Sequence, residues 1–309
     1  MRILVLCALW FAPMASADVL LVGGNNPDYV EIGDALAAAA EDDVLLIHPS
    51  SYQSFEIVGR SATLIASFGQ FDVSGLVRVR DLAADQRVLI SGMDVHALNT
   101  LNPEDEDVGV GLTVRDCLGP VRIHNSDCTG SAQTGHGFLF GLYDGIKVED
   151  SSNVAITNST ARGGQNDRAL FITDSKVATF DCHFDSPHPS GCASGGHGVS
   201  QLGDVHLFDS GSHFEGGDGA SFSCSVSTGT HGGFGILGNN TPPQDVVTLS
   251  TNLHETTLIG GTAGTNWCED YYGNEFTCTG FSGYLYGGFV PNFITGAQRD
   301  ASFPVRVKE

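Results

Sequence analysis

The chain reads as all-β, a right-handed parallel β-helix (solenoid) with a short N-terminal capping helix. Three observations predict it. Short segments of alternating apolar residues recur in one frame, the intervening loops are rich in Gly, Ser and Asp, and one stretch near the N terminus has helical spacing.

The first 17 residues, MRILVLCALWFAPMASA, carry one Arg, an apolar run and then Ala15-Ser16-Ala17, the pattern of a secretory signal peptide with an A-x-A cleavage site. The expected mature chain starts at Asp18 and is secreted, extracellular or periplasmic. No later segment approaches the ~18 continuous apolar residues of a membrane span. In DYVEIGDALAAAAEDD, residues Val30, Ala35, Leu36, Ala39 and Ala40 stand near helical spacing, and VLLIHPSSY, FEIVG, ATLIAS and LVRVRDL follow as strands. A solenoid exposes an open end, and a short amphipathic helix can cover it.

The repeats come next. VLISGMDV from Val88, VRIHNSDC from Val121, VAITNSTA from Val154, VATFDCHF from Val177 and VHLFDSGS from Val205 align, and VVTLSTNL from Val246 is a weaker copy. A second strand precedes several of them in GLTVRDC, GIKVEDS and ALFITDS. Two short strands per unit, with no helical crossover between them, pair with the same strands of the next unit, and this describes a stacked coil. The copies start 33, 33, 23 and 28 residues apart, so length varies in the loops. Stacking at ~4.8 Å per rung predicts a polar ladder of Asn125, Asn158, Asp181 and Asp209. The expected domains are the signal peptide (1–17), the β-helix with its cap (18–261), and an aromatic, Gly-rich C-terminal set of rungs or cap (262–309).

The Ala-rich cap helix, the acidic turn, VLLIHP and Tyr52 resemble the start of secreted bacterial right-handed parallel β-helix proteins of the pectin-lyase-like superfamily, and the repeats extend that resemblance from about residue 19 to residue 260. It implies the fold. It implies little about activity, because one fold hosts many functions.

Charge narrows the partners. With 36 acidic against 14 basic residues the net charge is −22, which repels nucleic acid and anionic membranes. A polysaccharide or cell-surface glycan is the expected partner. An acidic glycan requires bridging cations or local positive charge. Cys7 leaves with the signal, and the seven remaining cysteines suggest local disulfides at Cys117/Cys128, Cys182/Cys192 and Cys268/Cys278 with one thiol left over.

The run SGGHGVS around His197 is similar to the active-site G-H-G of polygalacturonases. That family's second carboxylate falls on Phe180 of Phe180-Asp181-Cys182, and its R-x-K falls on Arg306-Val307-Lys308, far along the chain. TGHGFLF at His136 and THGGFGI at His231 repeat the motif before other rungs, so a recurring Gly turn explains it. The same residues form a second candidate. His136, Asp167, His197 and His231, with Asp218 competing for the last place, fall about 30 residues apart at loop-to-strand junctions and predict a His/Asp column. In that column His136, Asp167, Arg168 and His197 are the candidate catalytic residues, and His136, Asp167, His197 and His231 the candidate ligands of a transition metal. Lyase chemistry adds Lys147, Arg162, Arg168 and Lys176 as candidate bases. Asp144, Glu149, Asp150 and Asp174 are the candidate carboxylates for calcium, scattered in no compact oxygen-ligand loop, and the acidic run Pro103 to Asp107 reads as a solvated loop with loose calcium binding as its alternative. The leading reading is a structural, adhesive or glycan-binding β-helix. The alternatives are a polysaccharide lyase or glycoside hydrolase, and a metal-binding module.

Overall fold

A computed structural model describes residues 17–98, 107, 109–131, 143–164, 167–187 and 196–217. Beyond these it describes strands between 236 and 299, with side chains at 253–257. The chain winds as a right-handed parallel β-helix whose strands form a 10-stranded and a 15-stranded parallel sheet. The signal-peptide reading falls on residues outside those described, apart from Ala17. No helix of the described residues is long and apolar enough to cross a membrane.

Each central coil has three strands rather than the expected two. Face 1 stacks Leu112–Arg115, Ile146–Glu149, Leu170–Thr173 and Val199–Leu202. Face 2 stacks Val88–Ser91, Val121–His124, Val154–Thr157, Lys176–Phe180 and Val205–Ser210. Face 3 stacks Met93–His96, Asp127–Thr129, Thr160–Arg162, His183–Asp185 and His213–Glu215. Most face 3 strands are three residues long, too short to display a period of two.

The corners between faces 1 and 2 and between faces 2 and 3 follow one recipe. The first residue is left-handed: Asp81, Asp116, Asp150 and Asp174 at the first corner, Asn125, Asn158 and Asp181 at the second. Asn and Asp tolerate this conformation because a short polar side chain bonds locally. The next residue is a buried hydroxyl or thiol at Cys117, Ser126, Ser151, Ser159, Ser175 and Cys182, whereas Leu82 follows Asp81. At the second corner the Met93 N–H donates to Ser126 Oγ (3.3 Å), Ser126 N–H to Ser159 Oγ (3.1 Å) and Cys182 N–H to Ser212 Oγ (3.1 Å). At the first corner Cys117 N–H donates to Ser151 Oγ and Ser151 N–H to Ser175 Oγ. Each corner amide is thereby satisfied by the following rung.

This corrects two expectations. The ladder contains Asn125, Asn158 and Asp181, with Asn158 Nδ2 donating to Asn125 Oδ1 at 3.3 Å, but not Asp209. Lys176–Phe180 pairs Thr179 with Asp209, so Asp209 points inward and is fully buried, accepting from Thr179 and Thr256, while Gly211 takes the corner. The last repeat likewise starts at Leu249, paired with Val205, rather than at Val246.

The predicted disulfides do not form among the described cysteines. Cys117, Cys128 and Cys182 are buried free thiols. Cys117 and Cys182 occupy the serine position of the two corners, each thiol donating to the carbonyl two residues back at 3.2 Å as the serines do. Cys128 points into the core from face 3. Cys192 lies outside the described residues. In the hairpin of Thr265–Glu269 with Glu275–Thr279, Cys268 faces Phe276 and Cys278 faces Asn266.

The capping helix spans Ile32–Ala38 and buries Ile32, Ala35 and Leu36, whereas Val30 is 71% exposed and lies off the helix. Arg60 donates to the Leu36 and Ala39 carbonyls and closes the helix C terminus. The core runs along the axis through inward residues such as Leu64, Val79, Ile90, Ile123, Ile156, Ile172 and Phe184. Burying each such side chain stabilises the fold by about 1.5–3 kcal/mol.

Candidate functional site

Between Met93 and Glu215 the longest loops fall at the third corner, between face 3 and face 1. In the first coils this corner needs no loop, since Ser51–Val58 and Phe71–Arg80 run continuously over both faces. They bend at Gly75 (φ +120°), where a Cβ would strike Ser54 Oγ. From residue 97 onward, loops enter here and return to the first residue of each face 1 strand. Register fixes the stacking of their last residues. One place before the strand stand Gly111, Gly145, Ala169 and Gly198. Two places before stand Val110, Asp144, Arg168 and His197, and three before stand Gly109, Tyr143, Asp167 and Gly196.

Asp144, Arg168 and His197 are therefore successive steps of one column. Asp144 is fully buried and receives two parallel bonds from Arg168, Nε to Oδ1 at 2.7 Å and Nη2 to Oδ2 at 2.8 Å. Below the guanidinium lies the Phe171 ring, 3.8 Å from Cζ to the centroid. A bidentate carboxylate and an aromatic face together hold an arginine rigid. Burial pushes the Asp144 carboxyl up from its ordinary value against the pull of Arg168.

Asp167 sits one place out of register beside this pair, partly exposed, with Oδ2 accepting from the Tyr143 N–H at 3.1 Å. Burial pushes its carboxyl up to about 6, and the Asp144 charge adds to the effect. His197, one rung further on, is pulled down to about 4 by burial and by Arg168. This loop-bearing edge thus holds a carboxyl raised toward neutral pH on one rung and an imidazole that stays neutral above about pH 4 on the next.

A second network lies on the outer side of face 1. Asp107, 3% exposed, meets Arg78 Nε, Arg115 Nη2 and Lys147 Nζ, each at 3.2 Å. Glu149 takes Lys147 at 3.1 Å and Arg115 Nε at 2.8 Å. Asp107 is thus no solvated end of an acidic loop; it ties three face 1 cations together. Arg78, Arg80, Arg115, Lys147 and Arg168 lie along this one face and its edge, each ion-paired, with Glu56, Asp81, Asp107, Glu149 and Asp144 as partners, so the face is near charge balance where the whole chain carries −22.

The structure stacks Arg168 and His197 on successive rungs of one column and leaves Asp167, the chain neighbour of Arg168, one place out of register with His197. His136, His231 and Asp218 lie outside the described residues, as do Arg306 to Lys308. Of the candidate bases, Lys147 is 3% exposed and ion-paired, and Arg162 pairs with Asp185 on face 3 at 3.2 Å. Of the candidate calcium carboxylates, Asp150 and Asp174 are left-handed corner residues and Asp144 and Glu149 are bound to cations. The glycine flanking His197 has a different reason from a left-handed turn. Its equivalents Gly111 and Gly145 lack positive φ, and a Cβ on Gly145 would lie 2.8 Å from the carbonyl oxygens of Ala169 and Arg162. Small size, needed for close stacking of loop ends, selects Gly here.

One feature escaped the sequence reading. On face 2, Ala178 floors a shallow cleft of about 250 Å³ bordered by Asn153, Lys176, His206 and Phe208. Phe208 and Phe180 are 39% and 36% exposed and lie 5.6 Å apart. Lys176 has no ion pair among the described residues. A Phe one place after an inward Thr or Leu is visible as alternation in VATFDC and VHLFDS, but its exposure depends on the small neighbours one rung away.

No family model matches the chain, and no curated protein matches it. Among solved structures, pectate lyase Pel9A superposes with a TM-score of 0.47 at 11% identity, over 81% of this chain and 78% of that one. Pectin methylesterase from carrot does so with 0.47 at 13% identity, over 96% and 89%, and the periplasmic alginate epimerase AlgG with 0.43 at 10%, over 90% and 55%. The likeness is one of winding: this chain is a right-handed parallel β-helix, as these pectin-lyase-like proteins are.

Proposed function

We propose that the chain is an exported polysaccharide-cleaving protein that works at the loop-bearing edge of face 1 by general acid–base catalysis. The observation that carries this reading is the column in which Asp144 fixes Arg168 and His197 follows one rung on, with Asp167 next to Arg168 in the chain. Hydrolysis through two carboxylates fits poorly, because Asp144 is committed to Arg168. Elimination fits better. Arg168 faces the carboxylate of a uronate residue, His197 removes the proton from the adjacent carbon, and Asp167 protonates the departing glycosidic oxygen. One C–H and one C–O bond break, one C=C and one O–H bond form, and the proton passes to the imidazole. Five cations balanced by five paired carboxylates leave this face near neutral, so it repels an acidic glycan less than the rest of the acidic chain does.

A second reading, glycan binding without chemistry, is favoured by the cleft on face 2, where two exposed phenylalanines and Lys176 suit a sugar ring bearing an anionic group. Incubation of the purified chain with uronate-containing and neutral polysaccharides separates the two. Ultraviolet absorbance of unsaturated products, abolished by Asp167→Asn and by His197→Ala in folded protein, supports cleavage. Absence of unsaturated products and of new reducing ends, with glycan retention lost on Phe208→Ala, establishes the second reading instead.

A further inference from the structure

Face 3 carries a donor set that neither site uses. His183 and His213 are register partners on successive rungs, in strands His183–Asp185 and His213–Glu215. Their imidazoles lie face to face, with centroids 4.6 Å apart and planes 4° from parallel. Glu215, two residues beyond His213 and so on the same outer side, brings Oε2 to 3.2 Å from His213 Nε2. Beneath them Phe184 and Phe214 stack in the core at 5.1 Å, which fixes the two strands against each other. One ligand atom from each of His183, His213 and Glu215 lies within 4.8 Å of the other two.

We propose that His183, His213 and Glu215 bind one divalent transition-metal ion, with Zn²⁺ as its representative, across two rungs of face 3. Two imidazoles and a carboxylate suit zinc and its neighbours, whereas calcium prefers oxygen alone. Zinc bonds of ~2.0–2.2 Å in tetrahedral geometry place ligand atoms roughly 3.3 Å apart, so side-chain torsions close the set by about an ångström. All three residues are partly exposed, with His213 at 27% and Glu215 at 39%, so an ion can enter from solvent and keep an open position. The two ligand strands belong to different rungs, and the ion therefore clips one coil to the next. Asp185, the register partner of Glu215, is held by Arg162 at 3.2 Å and stands next to the set as a local counter-charge.

Titration calorimetry of tag-free, chelator-stripped protein with ZnCl₂ tests the assignment, with CaCl₂ as the control ion. One equivalent of zinc is expected, with a rise in melting temperature and no response to calcium. His213→Ala and Glu215→Gln are each expected to weaken binding by no less than the ~10–100-fold that loss of a supporting partner costs a metal site, and to abolish the thermal shift. Absence of zinc binding, or binding of equal strength in both folded variants, overturns the proposal.

Discussion

Arg168 reaches back one rung to Asp144 and grips it through two parallel hydrogen bonds of 2.7 and 2.8 Å, while Asp144 is wholly shielded from water. A buried carboxylate depends on its partner. Removing one member leaves an uncompensated charge and costs about 3–5 kcal/mol. Arg168→Met is therefore expected to destabilise the chain by that amount in urea unfolding, and the double variant Arg168→Met with Asp144→Leu to recover most of it. Equal losses in the single and double variants would show that the pair is not coupled.

The pH dependence of cleavage follows from the acid and base. Asp167, held up to about 6, must keep its proton, and His197, held down to about 4, must lack one. A bell-shaped profile of kcat/KM is expected, with limbs near these two values and a maximum close to pH 5. Asp167→Glu is expected to move the alkaline limb and leave the acid limb in place. A flat profile between pH 4 and 7 would remove both residues from the chemistry.

Stability should respond to the same two groups with opposite signs. Asp167 titrates at about 6 in the fold against an ordinary 3.8, so the folded state binds the extra proton between those values. Its contribution is present below ~4 and is lost as pH rises through 6, which amounts to roughly 3 kcal/mol at 1.36 kcal/mol per unit. His197 works in reverse. The fold binds fewer protons than the unfolded chain between about 4 and 6.5, so its contribution is present above 6.5 and is lost as pH falls through 4. Asp167→Asn is expected to raise stability at pH 7.5 by about 1–3 kcal/mol and to leave it little changed at pH 3.5. Denaturant midpoints at the two pH values measure this.

Cys117 and Cys182 stand where the other corners have serine, and both are free thiols. Burial pushes the Cys182 thiol up to about 11 and raises that of Cys117, so neither is a reactive thiolate at neutral pH. Both are expected to resist a thiol reagent in the native protein and to react after unfolding. Cys117→Ser and Cys182→Ser are each expected to change stability by no more than about 1 kcal/mol, because the hydroxyl repeats the same bonds. Cys128→Ser, which places an unpartnered hydroxyl in the core, is expected to cost about 1–3 kcal/mol. Prompt labelling of native Cys117 would contradict the corner assignment.

The winding and two of the three faces were legible because they rest on periodicity. VRIHNSDC and VAITNSTA carry alternation, corner Asn and buried Ser in their order alone. Asp209 was misread for the same reason. VHLFDSGS starts two residues before its register partner Val177, and only the hydrogen-bonded pairing of Val177 with Leu207 reveals that the Asp faces inward. The paired cysteines were misread because closeness along the chain says nothing about facing, and Cys117 and Cys128 belong to different corners and strands.

By itself the sequence determined the coil: apolar alternation in short segments, a recurring Asn or Asp at their ends, and variable length confined to the loops. It also named Asp167, Arg168 and His197. Only the tertiary structure decided which residues meet across rungs. Asp144 holding Arg168, Asp107 meeting Arg78 and Lys147, and His183 lying over His213 are all contacts between residues 24 to 40 apart in the chain. The physical reason is that stacking distance is set by strand pairing at ~4.8 Å, while separation along the chain is set by loops of unequal length. Neighbours in space are therefore fixed by register, which no local pattern contains.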